Sequence, residues 1–173
     1  MTTTTIEDLI VQTDASGAPV RLEYVCGRLK VEASPASRHQ MTAKAIEASL
    51  QRMAGRGDGC AYYSLQDVLI RFPDPDQSLK RPDIAIFCAQ PPLSDEALEL
   101  LPAAVVEILS LGYEDKDLGA DGAPFYLACG AADVLVVDPR SGRALHYRAG
   151  MGGPVTLHTP ATVDLACGCR VTV

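Results

Sequence analysis

The amino-acid sequence predicts an α/β or α+β domain in which helices pack on a mixed β-sheet, rather than a doubly wound parallel sheet. Three observations support this fold class. Apolar runs typical of buried strands occupy residues 82–88, 103–110 and 132–139. An amphipathic helical pattern covers residues 34–55, and short strands separated by turn residues form β-hairpins near both ends of the chain.

Length and composition indicate a single globular domain. The chain has 173 residues, of which 47% are hydrophobic and 21% are charged. We expect one domain over residues 20–173, preceded by a polar N-terminal segment, residues 1–19, that is flexible or forms a short helix. No apolar run reaches the roughly 18 residues of a membrane helix, and the N-terminus lacks a signal-peptide pattern. The sequence therefore predicts a cytoplasmic protein with no membrane partner.

The first elements are a hairpin and a helix. Residues 20–34 predict two strands around Gly27. In the helix that follows, Ser37 is the candidate N-cap, Gln40 stands at the capping-box position, and Gly55 is the candidate terminator. The apolar stripe of this helix begins at its first turn, with His39, and continues through Ala43, Ile46, Leu50 and Met53.

The remaining elements follow in order. Residues 62–72 predict a strand, 73–81 a loop, and 82–88 a buried strand. Residues 89–102 predict an acidic loop or short helix before the buried strand at 103–110. A polar stretch then leads into a second helix that ends near Gly130, with Pro124 in its first turn. The strand at 132–139 and the C-terminal hairpins complete the sheet.

The cysteines do not predict a metal site. The chain has six, with no C-x-x-C pair. Cys88 and Cys129 lie within apolar elements and are expected to be reduced core thiols. Cys167 and Cys169 would share a strand face, but no second pair lies near them in the sequence.

Charge is distributed unevenly along the chain. The net charge is −7, which argues against general nucleic-acid binding. Residues 21–81 nevertheless carry a net charge of +3, whereas residues 93–121 carry −7. The acidic block forms either a solvent-exposed face of the protein or part of a cation-binding site.

Two predicted buried strands each contain one acid, Asp83 and Glu107. A buried carboxylate is costly unless it lies at a wet edge or meets a cation. If the two strands are neighbours, the carboxylates would converge and repel each other unless a divalent cation lies between them. Mg²⁺ suits such a site because it binds one or two carboxylates together with water and phosphate oxygens. The pair therefore suggests a metal-dependent phosphodiester hydrolase.

Lys116 and His39 are candidates for further roles. Lys116 is the only Lys or Arg between Asp83 and Arg140, so it could orient a nucleophile or hold a phosphate. It could equally be a solvent-exposed lysine at a helix start. His39 could be a core or capping histidine, or a polar group that reaches the site.

The segments "RPDIAIF", "VVEILS" and "FYLACGAADVLVVDP", preceded by "SPASRHQ", resemble the Uma-type putative restriction endonuclease domain, which is widespread in bacteria and belongs to the PD-(D/E)XK nuclease superfamily. The resemblance covers residues 20–173. It implies a restriction-endonuclease-like mixed sheet flanked by helices, with extra hairpins at both ends, and Mg²⁺-dependent cleavage of nucleic acid. Asp83 and Glu107 match the metal-binding acids, and His39 matches the histidine that begins the first helix.

This chain departs from the family pattern at its basic group. Leu109 stands where the E-x-K motif has lysine, and Gly122 stands where members often carry a lysine on the following helix. Either Lys116 replaces that lysine or catalysis is weakened. Arg28 and Cys26 also replace the acids that often flank the hairpin glycine.

The sequence therefore predicts an endonuclease that uses Mg²⁺, or Mn²⁺, on nucleic acid, with DNA as the first candidate substrate. Asp83 and Glu107 would bind the metal, Lys116 would position water or phosphate, and His39 would be an auxiliary donor or base. Phosphate contacts are expected from basic residues of the first half: Arg38, Lys44, Arg52, Arg56, Lys80 and Arg81. The alternative is an inactive nuclease-fold protein that acts as a binding or scaffold module. A homodimer is expected because terminal hairpins expose sheet edges.

Overall fold

The structure is a computed structural model that describes residues 4–18, 20–33, 35–53 and 60–173. Its helices are α1 (Ile6–Ala15), α2 (Ser37–Ser49), α3 (Glu114–Leu118) and α4 (Ala123–Ala128). The strands of the first half are β1 (Val20–Val25), β2 (Arg28–Ala33), β3 (Gln51–Arg52), β4 (Tyr63–Leu65), β5 (Ile70–Arg71), β6 (Leu79–Lys80) and β7 (Ile84–Phe87). Those of the second half are β8 (Ala104–Ile108), β9 (Asp133–Asp138), β10 (Arg143–Arg148), β11 (Val155–His158), β12 (Thr162–Asp164) and β13 (Cys169–Thr172).

The central sheet has six strands in the order β11-β10-β9-β8-β7-β4. β8 and β9 are parallel, and their neighbours pair antiparallel, so the sheet is mixed, as the sequence predicts. Every residue of β7 and β8 is buried. Strands covered on both faces need apolar residues at successive positions, which explains why they appear in the sequence as continuous apolar runs.

Two smaller sheets flank the central one. The first has the order β2-β1-β6-β5, and the second has the order β12-β13-β3. The β1–β2 hairpin turns at Cys26 and Gly27, whose φ angles of 49° and 78° are both positive. Two-residue hairpin loops favour such turns because their twist matches that of the strands. The predicted hairpin around Gly27 is therefore confirmed.

Helices cover both faces of the central sheet. Ala43 and Ile46 of α2, with Leu50 just beyond it, pack in one apolar cluster with Ile84, Val106 and Ile108. On the other face, Phe125 and Tyr126 of α4 pack edge-to-face against Phe72. The central strands therefore lie between α2 on one face and α4 on the other. Separately, α1 buries Ile10 against Leu22, Leu69 and Leu79.

The first predicted helix is shorter in the structure than in the sequence analysis. It ends at Ser49 and Leu50 is extended, whereas the predicted terminator Gly55 lies outside the described residues. Contacts with the C-terminal sheet explain this end: Thr172 N–H donates to Ser49 Oγ at 2.8 Å, and Met53 N–H donates to Gly168 O at 3.0 Å. The predicted N-cap is also wrong, since Ala36 occupies that position without a side-chain cap.

The strand predicted at residues 62–72 is two strands in different sheets. β4 pairs with β7, whereas β5 pairs with β6. Asp67, between them, has a φ of 52° that interrupts the extended conformation. In the part of the chain that the structure describes, no helix is long and apolar enough to cross a membrane.

Candidate active site

Asp83 and Glu107 lie on neighbouring strands at the centre of the molecule. Ile84 pairs with Val106 across the antiparallel strands β7 and β8. Asp83 and Glu107 are the next residues along these two strands and therefore face each other. The Asp83 N–H donates to Glu107 Oε2 at 3.1 Å, and the Ile108 N–H donates to Asp83 Oδ2 at 2.7 Å. Each carboxylate is thus held by the backbone of the other's strand.

Glu107 is completely buried. The Tyr126 hydroxyl, on α4, donates to Glu107 Oε1 at 2.5 Å. Burial raises the pKa of Glu107, and the nearby charge of Lys116 only partly opposes this effect. Burial therefore shifts the Glu107 equilibrium toward the protonated carboxyl.

His39 reaches Asp83 from the first turn of α2. Its Nε2 lies 3.0 Å from Asp83 Oδ2, and its side chain is 12% exposed. Burial lowers the pKa of His39, but the hydrogen bond and charge of Asp83, with the charge of Glu107, outweigh it, so the pKa is raised. Its Nδ1 has no hydrogen-bond partner among the described residues. His39 is therefore part of the site and not a residue of the apolar core.

Lys116, on α3, lies in a group of carboxylates. Its Nζ is 2.8 Å from Glu32 Oε1 and 3.2 Å from Asp117 Oδ1. Burial opposes its charge, yet the combined charges of Glu107, Glu23, Asp117 and Glu32 hold its pKa well above the usual value. Lys116 is therefore a firmly protonated cation and not a solvent-exposed lysine.

Lys80 is a second cation of this region, which the sequence analysis placed among the phosphate contacts. That assignment is wrong because Lys80 is completely buried. Its Nζ donates to the Asp121 carbonyl at 2.7 Å and lies 4.7 Å from the centroid of the Tyr126 ring. Its positive charge lowers the pKa values of Glu107 and Glu23 and so partly opposes the effect of their burial. Lys80 therefore stabilises the carboxylates from within the protein.

Acidic residues outnumber the lysines here. Beside Asp83 and Glu107, the site includes Glu23 of β1, Glu32 of β2 and Asp117 of α3. Glu23 is completely buried; its Oε1 accepts the Arg81 N–H at 2.6 Å, and its Oε2 has no hydrogen-bond partner among the described residues. Burial and the charge of Glu107 raise the pKa of Asp117 to about 8, against the charge of Lys116. Five carboxyl groups thus surround two lysines.

A cleft of about 550 Å³ opens onto this group of residues. Asp83, His39, Lys116 and Asp117 line it, whereas Glu107 lies behind its wall. Four arginines also line it: Arg21, Arg38, Arg81 and Arg140. Of the other predicted phosphate contacts, Lys44 and Arg52 are exposed but do not line the cleft, and Arg56 lies outside the described residues.

The structure explains why two family lysine positions are vacant. Leu109 is buried in the apolar cluster beneath α4. At Gly122, an added Cβ would lie 2.1 Å from the Asp117 carbonyl oxygen, so this loop accepts no side chain there. Lys116 and Lys80 are the lysines whose charges reach Glu107 instead.

The donor set suits a hard divalent cation. Asp83 and Glu107 supply carboxylate oxygens, which Mg²⁺ prefers, and the carboxyl groups of the site outnumber the nearby lysines. The sequence did not indicate Glu23, Glu32 or Asp117 as site residues, and it indicated Lys80 only as a phosphate contact. Glu23 and Glu32 lie on a hairpin more than fifty residues before Asp83, and no local pattern links them to it.

Comparison with known proteins agrees with this architecture. A sequence model of the Uma2 family, described as "Putative restriction endonuclease", matches residues 6–166. The crystal structure of a putative nuclease belonging to DUF820 from Anabaena variabilis ATCC 29413 is similar to this chain, with a TM-score of 0.63. The two chains are 16% identical, and the alignment covers 84% of this chain and 81% of the other, so the restriction-endonuclease-like fold is confirmed. No curated protein matches the chain.

Proposed function

Because this chain belongs to the Uma2 family of putative restriction endonucleases, we propose that it is a Mg²⁺-dependent endonuclease that hydrolyses phosphodiester bonds of nucleic acid, with DNA as the first candidate. The observation that carries the proposal is the pairing of Asp83 with Glu107 across β7 and β8 beside a cleft. The buried excess of carboxylates around them would be offset by a cation.

Asp83 and Glu107 would hold the metal. A divalent ion bound there would activate water and stabilise negative charge on the phosphorus centre. Mn²⁺, which takes similar oxygen ligands, would substitute for it. Tyr126 and the Asp83 N–H orient the Glu107 carboxyl, so its position is fixed before any metal binds.

Lys116 would hold the scissile phosphate or orient the attacking water. Its side chain is only 14% exposed, and it lines the cleft, so a phosphate oxygen could replace Glu32 as its partner. His39 would serve as a hydrogen-bond donor, because its contact with Asp83 favours the protonated ring. Each of these roles uses a group that borders the cleft.

The cleft arginines would contact the nucleic-acid backbone. Arg21, Arg81 and Arg140 are each paired with an acidic residue, so phosphate binding must compete with existing ion pairs. We therefore expect modest affinity that falls steeply as salt concentration rises. Homodimer formation stays a prediction. Size-exclusion chromatography with light scattering would test it.

The test is cleavage of supercoiled plasmid, linear duplex, single-stranded DNA and RNA, with Mg²⁺ or Mn²⁺ and with EDTA. We expect metal-dependent cleavage that Asp83→Asn abolishes, because the amide keeps a hydrogen-bond acceptor but loses the charge that binds metal. Asp95→Asn is the matched control, since Asp95 is an exposed loop residue away from the cleft. Circular dichroism would establish that both variants are folded.

The alternative is a binding or scaffold module, and the vacant positions Leu109 and Gly122 favour it. If the protein binds Mg²⁺ and DNA but cleaves no polymer or small phosphodiester, the enzyme proposal is wrong and the binding module is retained. If divalent metal gives neither cleavage nor thermal stabilisation, the metal site itself is refuted.

A further inference from the structure

Cysteines from three distant segments lie close together at the side of the central sheet. Cys60 lies just before β4, Cys88 follows β7, and Cys167 and Cys169 flank Gly168 at the start of β13. The Sγ atoms of Cys60, Cys167 and Cys169 all lie within 4.8 Å of one another. Cys88 is joined to Cys60 by a disulfide, so reduction of this bond would release a fourth thiol next to the group. Cys88 is thus not the free core thiol that the sequence predicts.

The backbone holds these four positions together. The Ala61 N–H donates to the Cys88 carbonyl at 3.2 Å, next to the β4–β7 pairing. On the other side, the Leu165 N–H donates to the Cys169 carbonyl at 2.8 Å, which closes the tight turn between β12 and β13. Gly168, with a φ of 87°, supplies the left-handed residue of that turn. Cys167 and Cys169 therefore project toward Cys60 from a rigid hairpin.

We propose that Cys60, Cys88, Cys167 and Cys169 form a tetrathiolate Zn²⁺ site in the reduced protein. Structural zinc sites are tetrahedral, and four cysteines are one of their common ligand sets. With Zn–S bonds of about 2.3 Å, the sulfurs of such a site are about 3.8 Å apart. The Cys60 and Cys169 Sγ atoms are 3.9 Å apart, close to that spacing.

The surroundings also suit a thiolate site. Cys169 is completely buried, whereas Cys60, Cys88 and Cys167 are half-buried, which leaves a path for the ion. Arg52 pairs with Cys169 across β13 and β3, and its positive charge offsets part of the negative charge of four thiolates around one Zn²⁺. This site is separate from the Asp83–Glu107 pair, whose hard oxygen donors suit Mg²⁺.

Zinc at this site would attach the C-terminal hairpin to the central sheet. Without zinc, the C-terminal hairpin is connected to the rest of the protein by apolar packing and backbone hydrogen bonds. Binding requires Cys60 and Cys88 as thiols, so a phosphine reductant must first supply two electrons, and solvent two protons, to open the disulfide. The thiols then release their protons to solvent as the metal–sulfur bonds form.

The test is metal binding by the reduced protein in the presence of a phosphine. After gel filtration we expect one tightly held zinc ion per chain by elemental analysis. Co²⁺ in its place should give the intense visible bands of a tetrahedral ion together with sulfur-to-metal charge-transfer absorption. Those thiolate bands distinguish this site from any Co²⁺ held by the carboxylates, which would be weakly coloured.

Cysteine-to-serine variants would identify which residues bind the zinc ion. Cys169→Ser should lose the zinc and the thiolate bands, and Cys167→Ser, at a half-buried position that is safer for folding, should do the same. Cys129→Ser is the matched control and should keep both, because Cys129 is a half-buried free thiol outside the group. If the fully reduced wild-type protein, with six thiols titrated, holds no zinc and gives no thiolate bands, the proposal is refuted. Equal metal retention by Cys129→Ser and both other variants would refute it as well.

Discussion

Asp117 should destabilise the metal-free protein at neutral pH, so replacing it with asparagine should stabilise the fold. The Asp117 side chain is 2% exposed and lies beside Lys116. Burial, the largest cause, and the charge of Glu107 raise its pKa from 3.8 to about 8. Between these two values the native state binds a proton that the unfolded chain releases. Stability therefore falls as the pH rises from about 4 to about 8.

The magnitude follows from that interval. Between pH 3.8 and pH 7 Asp117 is ionised in the unfolded chain but protonated in the native protein. This interval is a little over three pH units, and each unit lowers the free energy of unfolding by about 1.4 kcal/mol. The ceiling is therefore on the order of 4 kcal/mol. Because neighbouring carboxyls can share the proton, we expect Asp117→Asn to stabilise the protein by about 2 kcal/mol at pH 7. For a chain of this size that corresponds to a Tm increase of about 4–8 °C.

The assay is urea denaturation followed by circular dichroism, in EDTA and at a constant concentration of reductant, at pH 4 and pH 7. The gain from Asp117→Asn should nearly vanish at pH 4, where the native carboxyl is neutral and resembles the amide. Asp95→Asn controls for a general loss of negative charge and should change little at either pH. A variant that is equally stabilised at both pH values, or destabilised at pH 7, would show that Asp117 is ionised in the native protein.

Two further predictions follow from the same region. Mg²⁺ should raise the Tm more at pH 8 than at pH 5.5. Burial raises the pKa of Glu107, so protons compete with the metal for this carboxyl at low pH. A Tm increase that does not depend on pH would contradict metal binding at Glu107. Gly122→Ala should destabilise the protein by about 3 kcal/mol in urea denaturation, because its Cβ would overlap the Asp117 carbonyl oxygen. Gly152→Ala, with open space around its Cβ, is the control, and equal stability of the two variants would disprove the clash.

The sequence predicted the central strands and the carboxylate pair because the relevant patterns are local. Continuous apolar runs identified β7 and β8, and each contained a single acid, so their adjacency brought Asp83 and Glu107 together. Their roles as metal ligands stay a prediction. The family resemblance also indicated that His39 belongs near the site, which its amphipathic pattern alone did not decide.

What the sequence did not predict depends on contacts between distant segments. The end of α2 is determined by β13, more than a hundred residues later, through Ser49 and Thr172. Cys60, Cys88 and the Cys167–Cys169 pair are likewise far apart in the chain, so their spacing carried no recognisable pattern. Lys80 was expected to contact phosphate and lies in a predicted loop rich in polar residues, although the tertiary structure covers it with Phe125 and Tyr126.

The ion pairs of α1 link the start of the chain to the cleft. Glu7 pairs with Arg71, and Asp14 pairs with Arg81, which precedes Asp83 by two residues. The Arg81 N–H in turn holds the buried Glu23 carboxylate. A fragment that begins after this helix would remove the Asp14 partner of Arg81, which lines the cleft, and would expose Leu22 and Leu79. Helix α1 therefore supports the cleft wall, and a truncation that removes this helix would alter the electrostatics of the candidate site.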